Sequence, residues 1–149
     1  GSFPAAAVQG LAVTPEHTQH GADGMQTVLR VIPMPADRGI GRRITTGWLL
    51  AKLDQAGAVL PSGLFGRAAV LTSCDSLDIQ LPVYMGDCVT FRAVVVEADA
   101  LAATVRLQVL AEKRGETQQQ EVMCVRMRYV AVRDGEDGTG PGEAFRFNA

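Results

Sequence analysis

"GWLLAKLDQAG", residues 47–57, sets an aspartate inside an otherwise apolar run. The run holds no proline and no β-branched residue, so it reads as a helix. Leu49, Leu50, Leu53 and Ala56 recur at helical spacing. At about 100° per residue, Asp54 falls beside Leu50 and Gly57, near the edge of the apolar arc. Its neighbours three and four positions away are Leu50, Ala51, Gly57 and Ala58. None of them can pair with a carboxylate, and Lys52 projects to nearly the opposite side. A buried, unpaired carboxylate costs several kcal/mol or takes up a proton. Two readings follow from this pattern. Asp54 is a capped or water-bonded aspartate at a helix edge, or it is a catalytic base kept despite its cost.

Working outward, Thr45 or Thr46 can cap the start of the helix, which begins near Thr45 to Gly47. The helix is expected to end before Pro61, with "PSGLFG", 61–66, as a turn. "PMPADRGIGRR", 33–43, must be loop, because prolines, glycines and arginines interrupt any period. "MQTVLRVI", 25–32, reads as a strand. "RAAVLTSCDSLDIQL", 67–81, gives one strand, or one with a bulge or break. "CVTFRAVVVEA", 88–98, "AATVRLQVLAEK", 102–113, and "EVMCVRMRYVAVR", 121–133, complete the series, with "RGETQQQ" as a hairpin loop. In the last strand Met123, Val125, Met127, Tyr129 and Ala131 alternate with Cys124, Arg126 and Arg128. The order is strand, helix, then four strands joined by short loops. That implies an α+β domain in which one helix covers one face of an antiparallel sheet.

The domain is expected over 25–133. Residues 1–24 read as a poorly ordered N-terminal extension, and the Gly-rich 134–149 as a flexible tail. The chain has 149 residues, enough for one domain with a real core. Its net charge of −2 and 5% aromatic content argue against a nucleic-acid partner. No apolar run is long enough to span a membrane. No basic region precedes "FPAAAVQGLAV", so no signal peptide is read there. Cys74, Cys88 and Cys124 are widely spaced in strand-like runs. They are expected to be buried free thiols in a reducing compartment, which points to the cytoplasm. His17 and His20 could share a metal, but no third ligand is near, so no metal site is assigned. Both histidines lie in the N-terminal segment, which counts against a Ser-His-Asp enzyme. No nucleotide-binding loop, nucleophile elbow or zinc-protease motif is present.

"MPAD", "GWLLAKLDQAG", "DSLDI", "PVYMGD" and the final "YVAV" stand in an order and spacing that resembles the YciA-like acyl-CoA thioesterases of the hot-dog fold, over about residues 27–133. The resemblance implies a curved antiparallel sheet wrapped around one long helix. It implies subunits paired edge to edge, as a dimer or trimer of dimers, with active sites at the interface. It places the catalytic aspartate on Asp54, as general base on water or as nucleophile on the thioester carbonyl. The backbone N–H groups around Thr46 and Gly47 would polarise the carbonyl oxygen. Thr45, Arg42, Arg43 and Arg67 are the candidate contacts to the CoA part of the substrate. Coenzyme A enters only with the substrate, and no other cofactor is implied.

The chain departs from the family pattern in three places. Gly39 and Gly41 stand where polar residues are expected, Arg42 where a glycine is, and Thr46 where the first glycine of a pair is. Asp99 and Ala100 replace a glycine and an arginine that meet CoA phosphates in the family, so an anion contact is lost there. One extra residue lies between Gly66-Arg67 and Asp75-Ser76, which requires a bulge if the strand is to keep its faces. These departures keep an alternative open, a hot-dog protein that binds an acyl thioester or other apolar ligand without efficient hydrolysis.

Overall fold

The computed structural model describes residues 23–133. Five strands run β1 (Gln26–Val31), β2 (Ala69–Ile79), β3 (Cys88–Ala98), β4 (Ala102–Glu112) and β5 (Gln119–Ala131). One helix, α1 (Thr46–Phe65), lies between β1 and β2 in sequence, and a single 3-10 turn (Pro35–Asp37) interrupts the loop before it. The sheet order is β1-β3-β4-β5-β2, and every paired neighbour is antiparallel. This is the helix-on-sheet arrangement that the strand periods imply.

Leu49, Leu53, Ala56 and Leu60 repeat at spacings of four, three and four, so they form one stripe. That stripe packs on Phe91, Val105, Leu107, Met127 and Tyr129 of the sheet. Full burial of a residue such as Leu53 stabilises the fold by about 1.5–3 kcal/mol. Leu50, expected on the apolar arc, is instead exposed, one step off the stripe.

Thr45 caps the helix by accepting a hydrogen bond from the Trp48 N–H at 3.2 Å. The far end runs further than the sequence suggests. Pro61 lies inside α1, and the helix continues to Phe65. Proline there removes the N–H that the Gly57 carbonyl would bond, at a cost near 3 kcal/mol. Burial of Pro61 offsets part of that cost. The helix stops at Gly66, whose φ of 67° supplies the left-handed cap and whose N–H reaches Ser62 O at 3.0 Å.

The extra residue of β2 is absorbed where a bulge was required. Leu71 pairs with Tyr129 and Ser73 with Arg128, so Thr72 is the unpaired residue. Leu71 and Cys74 therefore share the helix-side face although they are three apart. A second irregularity lies between Asp75 and Asp78, where Ser76 takes a φ of 57°. The three cysteines are free thiols as expected, but the burial expected for them fails. Cys74 is exposed and Cys88 and Cys124 are half-buried, because β2 is an edge strand and no element among the described residues covers the outer face of the sheet. His17, His20 and the terminal segments beyond 23–133 lie outside the described residues. Asp23, assigned to the extension, pairs with Arg92 of β3 at 3.3 Å.

Candidate active site

Asp54 answers the question posed by its apolar neighbours. Its carboxylate is on an exposed face of α1 and receives a hydrogen bond from the Tyr129 hydroxyl, with 3.0 Å to Oδ1. The same hydroxyl lies 3.1 Å from the Asp54 main-chain oxygen. Tyr129 is completely buried and comes from β5, far away in sequence. Burial first, and the Asp54 charge second, hold its phenol well above the usual tyrosine range. The proton therefore stays on the tyrosine, and Asp54 is the acceptor. Lys52 turns the other way, its ammonium 5.9 Å from the centre of the Trp48 ring.

Gly57 makes this contact possible. A Cβ at residue 57 would land on the Tyr129 hydroxyl and lie 3.1 Å from Cε2 and Cζ of the ring. Neither Tyr129 nor Gly57 was singled out for the site by sequence reasoning. The available signal was weak. Gly57 follows Asp54 by three positions on one helix face, and Tyr129 has the inward parity of β5.

At the start of α1, Trp48 N–H bonds Thr45 Oγ1 and Leu49 N–H bonds Thr45 O at 3.3 Å. The N–H groups of Thr46 and Gly47 have no helical acceptor, so they remain available at the positive end of the helix dipole. A cavity of about 250 Å³ opens beside them, lined by Arg43, Thr46, Leu49, Ile79, Leu81 and Val83 among others. Arg42 points instead into a separate apolar hollow of about 420 Å³, shared with Met34, Met85 and Arg114.

One chain does not bring these parts together. Gly47 and Asp54 are seven residues apart on one helix, about 10 Å along its axis. They cannot both touch one thioester carbonyl from the same copy. Arg67 lies past the opposite end of α1, about 30 Å from Thr46, and donates to Val132 O at 3.1 Å. Asp99 does not stand as a replacement ligand. Its Oδ1 accepts the N–H groups of Leu101 and Ala102, each at 2.9 Å, and these bonds hold its carboxyl below the usual range. No group of three or more His, Cys, Asp or Glu suited to a metal ion occurs among the described residues.

No family profile matches the chain. Among curated proteins it is 28% identical over 96 residues to the acyl-CoA thioester hydrolase YciA of Escherichia coli, which spans 64% of this chain and 73% of that protein. Among solved structures it is similar to a hexameric thioesterase from Yersinia pestis, with 28% identity and a TM-score of 0.69, covering 73% of this chain and 88% of the other. It is also similar to a hexameric hot-dog fold thioesterase of Campylobacter jejuni, with 28% identity and a TM-score of 0.66, covering 72% and 83%.

Proposed function

From a chain that has the hot-dog fold and is similar to the YciA-like thioesterases, we propose an acyl-CoA thioesterase that releases free CoA and a carboxylic acid. The observation that carries this reading is Asp54. It is a carboxylate exposed at mid-helix, held on one oxygen by a buried tyrosine and free on the other.

Asp54 acts as general base or as nucleophile. As base, it takes a proton from water while the water oxygen bonds the thioester carbon. The carbonyl electrons move to oxygen, where the Thr46 and Gly47 N–H groups of a second copy stabilise the charge. The tetrahedral adduct collapses, the C–S bond breaks, and the CoA thiolate recovers the proton from Asp54. As nucleophile, Asp54 bonds the thioester carbon and the C–S bond breaks to expel the CoA thiolate; water then opens the acyl anhydride to the free acid and the Asp54 carboxylate, and its released proton goes to the thiolate. Arg42, Arg43 and Thr45 meet the CoA part, and Arg67 serves the site of a neighbouring copy. The roughly 10 Å between Gly47 and Asp54 within one chain supports a site shared between copies.

Self-association as a dimer or trimer of dimers belongs to this reading. The hexameric state of the two similar structures supports it, and so does the open edge of β2. No helix among the described residues is long and apolar enough to cross a membrane, and a cytoplasmic site of action fits three free thiols.

The test follows free thiol release from short, medium and long acyl-CoAs. Asp54→Asn is expected to lower kcat by about 100-fold or more while the melt is kept. Unchanged turnover in that variant overturns the role of Asp54. The alternative is a binder without efficient hydrolysis. It is favoured by the turn at Asp99 and Ala100, which stand where the resemblance places a glycine and a phosphate-binding arginine. CoA binding without turnover on any substrate would establish it.

A further inference from the structure

We infer that Tyr129 is a positioning residue for the Asp54 carboxylate, and that Gly57 serves to admit its hydroxyl. The inference rests on the catalytic reading of Asp54 and adds two residues that the reading does not require.

The helix leaves the carboxylate without support, since its neighbours at three and four positions are Leu50, Ala51, Gly57 and Ala58. The Tyr129 hydroxyl supplies the missing partner at 3.0 Å. A bond from a neutral donor to an ionised acceptor is stronger than a neutral pair. It occupies Oδ1 and fixes the side-chain torsion, so Oδ2 is the oxygen left for water or for the thioester carbon. The second approach of the hydroxyl, to Asp54 O at 3.1 Å, ties the donor to the helix backbone as well. Donor and carboxylate are thus registered against the same residue. The phenol itself is held rigidly, because its ring is wholly buried between β4 and β2, opposite Ala103 and Leu71.

Gly57 marks the same requirement from the other side. A glycine inside a helix is less favourable than alanine by up to about 1 kcal/mol. Alanine stands at 51, 56 and 58 in this helix, yet position 57, where a Cβ would meet the hydroxyl, is glycine. A phenylalanine at 129 would fill the core without burying a polar group. The hydroxyl costs free energy to bury unless it is bonded, and Asp54 is what it bonds.

The other groups around the carboxylate leave little to compete with this bond. From β2, Cys74 faces the same side and lies close enough to act electrostatically on Tyr129. From β3 and β4 the helix-side residues are apolar, Ala93, Val95, Ala103 and Val105 among them. Arg30, the ionisable residue of β1, is engaged by Glu112 and Cys88.

A residue that merely anchors helix to sheet would change the melt and leave the chemistry alone. Steady-state kinetics of Tyr129→Phe separate the two. We expect kcat to fall about 10- to 100-fold with KM within about twofold, since a loosened catalytic group loses that much. An unchanged kcat with a lower melting temperature overturns the inference. Gly57→Ala tests it from the second side and should lower kcat as well. Adding Tyr129→Phe to Gly57→Ala should recover part of its lost melting temperature, since the hydroxyl is the nearest atom to the new Cβ. Full additivity of the two losses also overturns the inference. Turnover that survives Asp54→Asn would remove the catalytic reading instead.

Discussion

β4 and β2 are equally long strands of one sheet, separated only by β5, and they behave as opposites. β4 buries every second side chain, Ala103, Val105, Leu107, Val109 and Ala111, each at most 2% exposed. It has a bonded neighbour on both sides and the helix across one face. β2 buries none of its residues, has a bonded neighbour on one side only, and carries two irregularities. The helix of one chain covers the middle of the sheet and leaves Val70, Leu77 and Ile79 open to solvent. The difference teaches that this chain completes its core but not its edge. A long open edge with apolar side chains invites pairing with another strand. The candidate site has the same division, with Asp54 over the finished part and the helix start opening toward Ile79 at the end of β2.

Four changes would break or sharpen this contrast. The largest effect is expected in the centre. Leu107→Ala should lower stability by about 2–5 kcal/mol, seen as a lower denaturant midpoint, because β4 has no slack to close the cavity. The next is expected at the edge. Leu77→Lys should weaken self-association about 10- to 100-fold by sedimentation, with turnover falling in step if the site is shared. Wild-type melting temperature should rise with protein concentration, and that dependence should shrink in the variant.

The third concerns β5, the seam between the two strands. Burial first, then Glu121, pushes the Cys124 thiol up to about 11 from 9.0, and Tyr129 is raised above 10.0 as well. The unfolded chain releases these protons first, so the native state holds more protons through that window. The stability they contribute is present below pH 9 and is lost as pH climbs through 11. Melts at pH 8, 10 and 11 should fall by several degrees, roughly the scale of 1 kcal/mol in a small domain. Cys124→Ser should flatten the decline. The smallest effect is expected at Val70→Thr, within about 0.5 kcal/mol, because the side chain is half-exposed at the edge.

The strand runs that form β3, β4 and β5 were readable directly, with alternation in β5, and β3 occupies the expected 88–98 span. The Thr45 cap and the helix start were readable too, since both depend on neighbours in sequence. Pro61 was misread because its local penalty is offset by burial, which only tertiary packing supplies. Cys74 was misread because apolar neighbours say nothing about which strand lies at an edge. Asp54 drew attention by its lack of a partner, but the partner itself was hidden. Tyr129 meets it through the register of β5 beneath the helix, and no spacing along the chain encodes that register.

The bulge at Thr72 has a consequence for how such a chain can change over generations. An inserted residue in β4 would turn half a strand inside out and disturb both neighbours. In β2 the insertion disturbs a single ladder, and the surplus residue swings out where its hydroxyl still bonds Arg128 O at 3.2 Å. Leu71 and Cys74 keep their inward faces around it. An edge strand such as β2 can thus drift in length by a single residue at the expense of one ladder, and lineages of this fold should tolerate in-strand insertions there.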